Sequence, residues 1–78
     1  MRRKKLSFKE QRELDELPAV IDALESEQRA LAARVASPAF YKESAEAIKQ
    51  SLARVDELQR ELTAVYARWD ALESRRQV

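Results

Sequence analysis

Two apolar seams of heptad spacing, one on either side of a short proline-containing interruption, constrain this chain more than any other feature. Leu17, Ile21, Leu24, Gln28, Leu31 and Val35 follow one another at intervals of four and three, and so do Ile48, Leu52, Val55, Gln59, Leu62, Tyr66 and Trp69. This is the repeat of helices that pack along a single stripe. The segment between them, Ala36 to Ser44, lacks the repeat and is long enough to reverse the chain. The pattern predicts an all-α fold: an antiparallel two-helix coiled-coil hairpin.

A chain of 78 residues buries only about 60% of its unfolded surface, so its core must be a seam rather than a globule. Cys, His and Gly are all absent. That removes disulfides, thiolate and imidazole metal sites, serine or cysteine nucleophiles paired with histidine, and phosphate-cradling glycine loops. No catalytic residues, metal ligands or cofactor are expected in this segment. No apolar run approaches the ~20 residues of a membrane span. A signal peptide is not expected either, because Phe8-Lys9-Glu10-Gln11-Arg12-Glu13 follows the basic start where an apolar stretch would be needed. The cytoplasm is the expected compartment.

Local signals set the boundaries. Residues 1–6 read as a basic linker and 7–76 as the helical domain. Ser7 and Glu10 fit a capping box, which starts a short helix at about 8–16. Pro18 disfavours helical dihedrals at Leu17 and suits the first turn of a new helix. A break is therefore expected there, with a second helix at about 18–36. Ser37-Pro38 can cap a turn within the tip, 37–44, and Ser44 can cap the last helix, at about 45–75.

An antiparallel register aligns every layer: Val35 with Ile48, Leu31 with Leu52, Gln28 with Val55, Leu24 with Gln59, Ile21 with Leu62 and Leu17 with Tyr66. Continued downward it sets Leu14 against Trp69, so that Tyr66 and Trp69 belong to the core. Val55, Leu58, Leu62, Val65, Trp69 and Leu72 form a second stripe on the last helix, wider than a two-helix seam requires. The short first helix, through Phe8, Leu14 and Leu17, is expected to pack there, at the base of the hairpin. At the tip, an exposed Phe40-Tyr41 pair could stack on bases, but the two are expected to close the end of the seam, with Tyr41 the more accessible. Because the register pairs both seams within one chain, the isolated domain is expected to be a monomer.

Charge is uneven. Residues 1–12 carry Arg2, Arg3, Lys4, Lys5, Lys9 and Arg12 against Glu10 alone, and Arg68, Arg75 and Arg76 return beside them. Arg34, Lys42 and Lys49 make a second, smaller patch near the tip. Clustered Lys and Arg are all that phosphate contact needs. A charge run is equally consistent with a solvated linker.

Several blocks resemble a known family. They are Lys5-Leu6-Ser7-Phe8-Lys9-Glu10-Gln11-Arg12-Glu13-Leu14, then Leu17-Pro18 with Ile21 and Leu24-Glu25, then Ser37-Pro38-Ala39-Phe40-Tyr41, and finally Tyr66-Ala67-Arg68-Trp69 with Leu72-Glu73. Together they resemble the C-terminal domain of Uup-type ABC-F ATPases, the piece that follows the second ATP-binding cassette. The blocks cover nearly the whole chain, in the same order and at compatible spacing, which a generic coiled coil would not show. Where this chain has Phe8 the family usually has Tyr, and where it has Ser37 the family often has Asp.

The resemblance implies a DNA-binding coiled coil attached to a soluble ATPase that acts in ribosome function and translation or on branched DNA. DNA, ribosomal RNA or the ribosome would be the partner, with no membrane involved. ATP and Mg would belong to the cassettes of the longer protein. On this reading Arg2, Arg3, Lys4, Lys5, Lys9, Arg12, Arg68, Arg75 and Arg76 are the candidate nucleic-acid contacts, with Arg34, Lys42 and Lys49 as the second candidate patch. The alternative is a protein-interaction or ribosome-docking coiled coil with no nucleic-acid role of its own.

Overall fold

The computed structural model describes residues 5–76. Two long helices, α1 (Phe8–Ala36) and α2 (Ala45–Arg76), run antiparallel and are joined by one 3-10 turn at Pro38–Lys42. The rod measures 56 × 20 × 17 Å. Its caps follow the sequence signals. The Ser7 hydroxyl accepts from the Glu10 amide at 3.1 Å, and the Ser7 amide donates to the Glu10 carboxylate at 3.1 Å. At the tip the Ser37 hydroxyl accepts from the amide of Ala39, and the Ser44 hydroxyl accepts from that of Ala47 at the start of α2.

The expected break at Leu17 does not occur. α1 is continuous and contains Pro18, so the separate short helix and the three-helix base are not formed. A proline inside a helix costs roughly 3 kcal/mol, through a missing N–H and a clash with the preceding turn. Burial on both sides of it opposes that cost. Leu14, Leu17 and Ile21 straddle Pro18 on one face and are all buried, whereas Pro18 is exposed. The space assigned to a third helix is closed instead by Leu6, which with Val65 packs on the cluster Leu14, Leu17 and Leu72. Phe8, expected in that core, is 81% exposed.

On α1 the expected stripe is the seam: Leu17 and Ile21 are buried, and Leu24, Gln28, Leu31 and Val35 are partly buried. On α2 the seam is turned by one residue. The buried positions are Ser51, Leu58, Leu62 and Leu72, whereas Leu52, Tyr66 and Trp69 are 46%, 41% and 37% exposed. Both candidate stripes share Val55, Leu62 and Trp69, and the choice lies between Leu58, Val65, Leu72 and Leu52, Gln59, Tyr66. The first set is wholly aliphatic. Burying it leaves the amide of Gln59 and the phenol of Tyr66 at the margin, where they find partners, and so avoids the cost of unpaired polar groups.

Candidate nucleic-acid interface

The helices bring most of the predicted cations into two ends of the rod, but they do not leave them equally free. At the base Lys5, Lys9 and Arg12 are exposed, and among the described residues no ion pair engages them. Arg2, Arg3 and Lys4 lie outside the described residues. Arg68 is held on Glu13 by two hydrogen bonds of 2.6 and 2.8 Å. Arg75 binds both carboxylate oxygens of Glu10, one at 2.8 Å, and also reaches the Lys5 carbonyl at 3.4 Å. Arg76 lies 3.6 Å from Glu73.

These contacts leave an electrostatic mark. Hydrogen bonding to Arg75, followed by that of the Ser7 amide, draws the Glu10 carboxyl down from 4.5 to about 2. Arg68 lowers Glu13 in the same way. Arg68 and Arg75 are therefore partly neutralised locally, and a phosphate approaching them must compete with carboxylates already in place. Both pairs still meet solvent, which screens the carboxylates' hold on the guanidinium groups, so the competition is not prohibitive.

At the tip Arg34 is held on Glu43 by contacts of 2.6 and 3.4 Å. Lys42 and Lys49 are exposed, and no ion pair engages either among the described residues. Phe40 and Tyr41, adjacent in sequence, have opposite fates. Phe40 is 1% exposed and closes the end of the seam; Tyr41 is 68% exposed. Their rings meet edge to face, with centroids 5.1 Å apart.

The flanks of the rod also differ. On one, ion pairs cross between helices at heptad spacing: Glu13 with Arg68, Glu27 with Arg54, and Arg34 with Glu43 of the tip. Glu27 is consequently lowered and Arg54 raised, each chiefly by its hydrogen bond to the other. The opposite flank is closed by uncharged or mixed contacts. Gln28 donates to Gln59 at 3.4 Å, and the Tyr66 hydroxyl donates to Glu25 at 2.8 Å, which raises the tyrosine. Above that glutamine pair the flank opens into an apolar groove of about 700 Å³, whose walls include Leu31, Ala32, Val35, Leu52, Val55 and Tyr41.

Sequence reading placed the cations but missed their carboxylate partners. The signal was present for two of the pairs, since Arg54 and Arg68, and their partners Glu27 and Glu13, each lie fourteen residues apart beside the seam, where interhelical pairs form. The pair of Arg75 with Glu10 lies outside that series.

The family model for the ABC transporter C-terminal domain matches residues 5–74. The chain belongs to the ABC transporter C-terminal domain family. Among related proteins, "ATP-binding protein Uup" of Haemophilus influenzae is 36% identical over 72 residues, 92% of this chain and 11% of that protein. The Uup-like ATP-binding protein of the same organism is 36% identical over an equal span, which is 16% of its length. "ATP-binding protein Uup" of Escherichia coli is 37% identical over 70 residues, 90% of this chain and 11% of that protein. The chain thus spans a small part of the curated relatives it matches. A solved structure, described as showing that the C-terminal domain of the Uup protein is a DNA-binding coiled coil motif, superimposes with a TM-score of 0.85 at 35% identity. The match covers 92% of this chain and 85% of that one. Among the described residues, no helix is long and apolar enough to cross a membrane, and no group of three or more acidic side chains could hold a metal ion.

Proposed function

We propose that this chain is a DNA-binding helical hairpin that gives a longer ATP-binding protein its grip on nucleic-acid backbones. The observation that carries this is the likeness, over 92% of the chain, to a domain described as a DNA-binding coiled coil. The charge distribution supports it. Lys5, Lys9 and Arg12 are exposed at the base and engaged in no ion pair among the described residues, although Glu13 and Glu16 lie beside Lys9 and Arg12. They are next in sequence to Arg2, Arg3 and Lys4, and a rod of mixed charge with a basic end can offer phosphates charge without reading bases. Arg68, Arg75 and Arg76 contribute field rather than free hands. Ribosomal RNA offers the same phosphates and is the second partner on this reading. ATP and Mg belong to the cassettes of the longer protein, which acts in the cytoplasm, in ribosome function and translation or on branched DNA.

The test is a titration of the chain with duplex DNA at several salt concentrations. With about three to five phosphates engaged, the log–log salt slope should be roughly −3 to −5. Replacing Arg2, Arg3, Lys4 and Lys5 with Ser should weaken binding and flatten the slope while helicity persists, since these residues precede the Ser7 cap. Absence of salt-dependent binding by the folded chain would overturn the reading in favour of protein docking.

A further inference from the structure

We propose that the groove beneath Tyr41 is a stacking site for an unpaired nucleobase, so that the tip distinguishes single-stranded from duplex nucleic acid. The inference rests on the reading of the chain as a nucleic-acid binder and adds to it a site and a preferred form of ligand.

Three observations carry it. Tyr41 is 68% exposed, yet Phe40, 1% exposed and edge-on at 5.1 Å, holds it in place. A ring anchored from behind and open in front loses little freedom when a base stacks upon it. Secondly, the groove that Tyr41 overhangs is walled by aliphatic side chains, with Leu52 46% exposed to it. Charge supplies the third. Among the described residues no carboxylate lines the groove, and Arg29 is its one charged wall residue. Lys42 follows Tyr41 directly, and Lys49 lies one helical turn before Leu52 on α2, where residues three apart share a face. Neither lysine lines the groove, but each is exposed within a turn of a residue that does, and cations near an apolar floor suit a strand whose phosphates run past while a base enters.

That combination is not repeated at the base. Phe8 is more exposed than Tyr41 and neighbours Lys9 and Arg12, but Glu13 and Glu16 line the same hollow, and carboxylates repel a strand. A base inside a duplex presents no free face, so a duplex can use the nearby charges but not the groove.

The experiment compares binding of an oligothymidylate and a duplex of matched length by anisotropy, for the wild-type chain and for Tyr41→Leu, Tyr41→Phe and the pair Lys42→Ser with Lys49→Ser. Circular dichroism checks folding. Because a base stacks on the aromatic ring, Tyr41→Leu should weaken the single strand roughly tenfold and the duplex less than about twofold. Tyr41→Phe keeps the ring and should bind as wild type, while the lysine pair should weaken both ligands. If Tyr41→Leu changes neither ligand, or weakens both equally, the stacking site is refuted while nucleic-acid binding stands. A wild-type chain that binds duplex but no single strand refutes the stacking site as well. Binding of neither ligand overturns both this inference and the function on which it rests.

Discussion

The side-chain amide of Gln28 lies 3.4 Å from that of Gln59, its Nε2 donating to the Oε1 across the hairpin. Two polar residues that occupy separate layers in the aliphatic register meet each other instead, on the flank where the apolar groove begins. A paired polar layer fixes the register of a coiled coil at a cost in stability. Replacing both with Leu should therefore stabilise the fold only modestly, by up to about 1 kcal/mol, because Gln28 is partly buried and Gln59 is exposed. It should also loosen specificity. Urea melts should show the gain, and light scattering across a wide concentration range should find the wild type monomeric and the double variant partly self-associated. A loss of stability would mean that the amide pair contributes more than its register role.

Leu72 is wholly buried and Trp69 is 37% exposed, so the smaller residue should be the more costly to truncate. Leu72→Ala should lose about 2–5 kcal/mol, as large-to-small changes in packed cores do, and should approach the whole stability of so small a chain. Trp69→Ala should lose less, because part of its ring already meets solvent. Chemical denaturation of the two variants side by side decides the order.

Pro18 lies inside a continuous helix with its side chain exposed. Pro18→Ala should restore the amide that can bond the Leu14 carbonyl and relieve the ring clash, with a gain of up to about 3 kcal/mol. Thermal unfolding measures it, and a lower midpoint would show that the proline shapes the approach of Leu14 and Leu17 to Leu72.

The Glu10 carboxyl titrates at about 2 in the folded chain, against 4.5 ordinarily, because Arg75 and the Ser7 amide bind its charged form. A carboxyl whose value falls on folding stabilises the fold above its unfolded value. That contribution is complete above about pH 4.5 and disappears as the pH falls through 2. Thermal midpoints should therefore decline across this interval, and less steeply in Glu10→Gln. A carbon-detected NMR titration of Glu10 should place its midpoint near the lower end.

Much of this fold is legible in the sequence because its local signals are strong and agree with one another. Ser7, Ser37 and Ser44 cap as expected, Phe40 closes the tip, and the stripe from Leu17 to Val35 forms one wall of the seam. The rest depends on comparisons between helices that a linear reading does not make. Leu58 and Gln59 are adjacent, and each completes a heptad stripe with Val55 and Leu62. Only the facing helix decides which turns inward, and Ser51, polar by name, conceals the stripe that wins. Pro18 misleads for a similar reason, since its local preference is outweighed by the burial of Leu14 and Leu17 before it and Ile21 after it. In the candidate site, the cations could be found from composition. Which of them were already occupied depended on carboxylates up to 65 residues distant in sequence, as in the bond from Arg75 to Glu10.

The bonds from Arg75 to Glu10 and to the Lys5 carbonyl rivet the two helices together at the end of the rod where residues 5 and 75 lie side by side. The hairpin is thus a rod 56 Å in length whose two helices are tied together at the end opposite Tyr41. A body fastened at that end would need to tilt by only a few degrees for the far end to sweep several ångströms. The ion pairs from Glu27 to Arg54 and from Glu13 to Arg68 tie the helices along one flank, whereas the other flank, above the Gln28–Gln59 bond, opens into the groove.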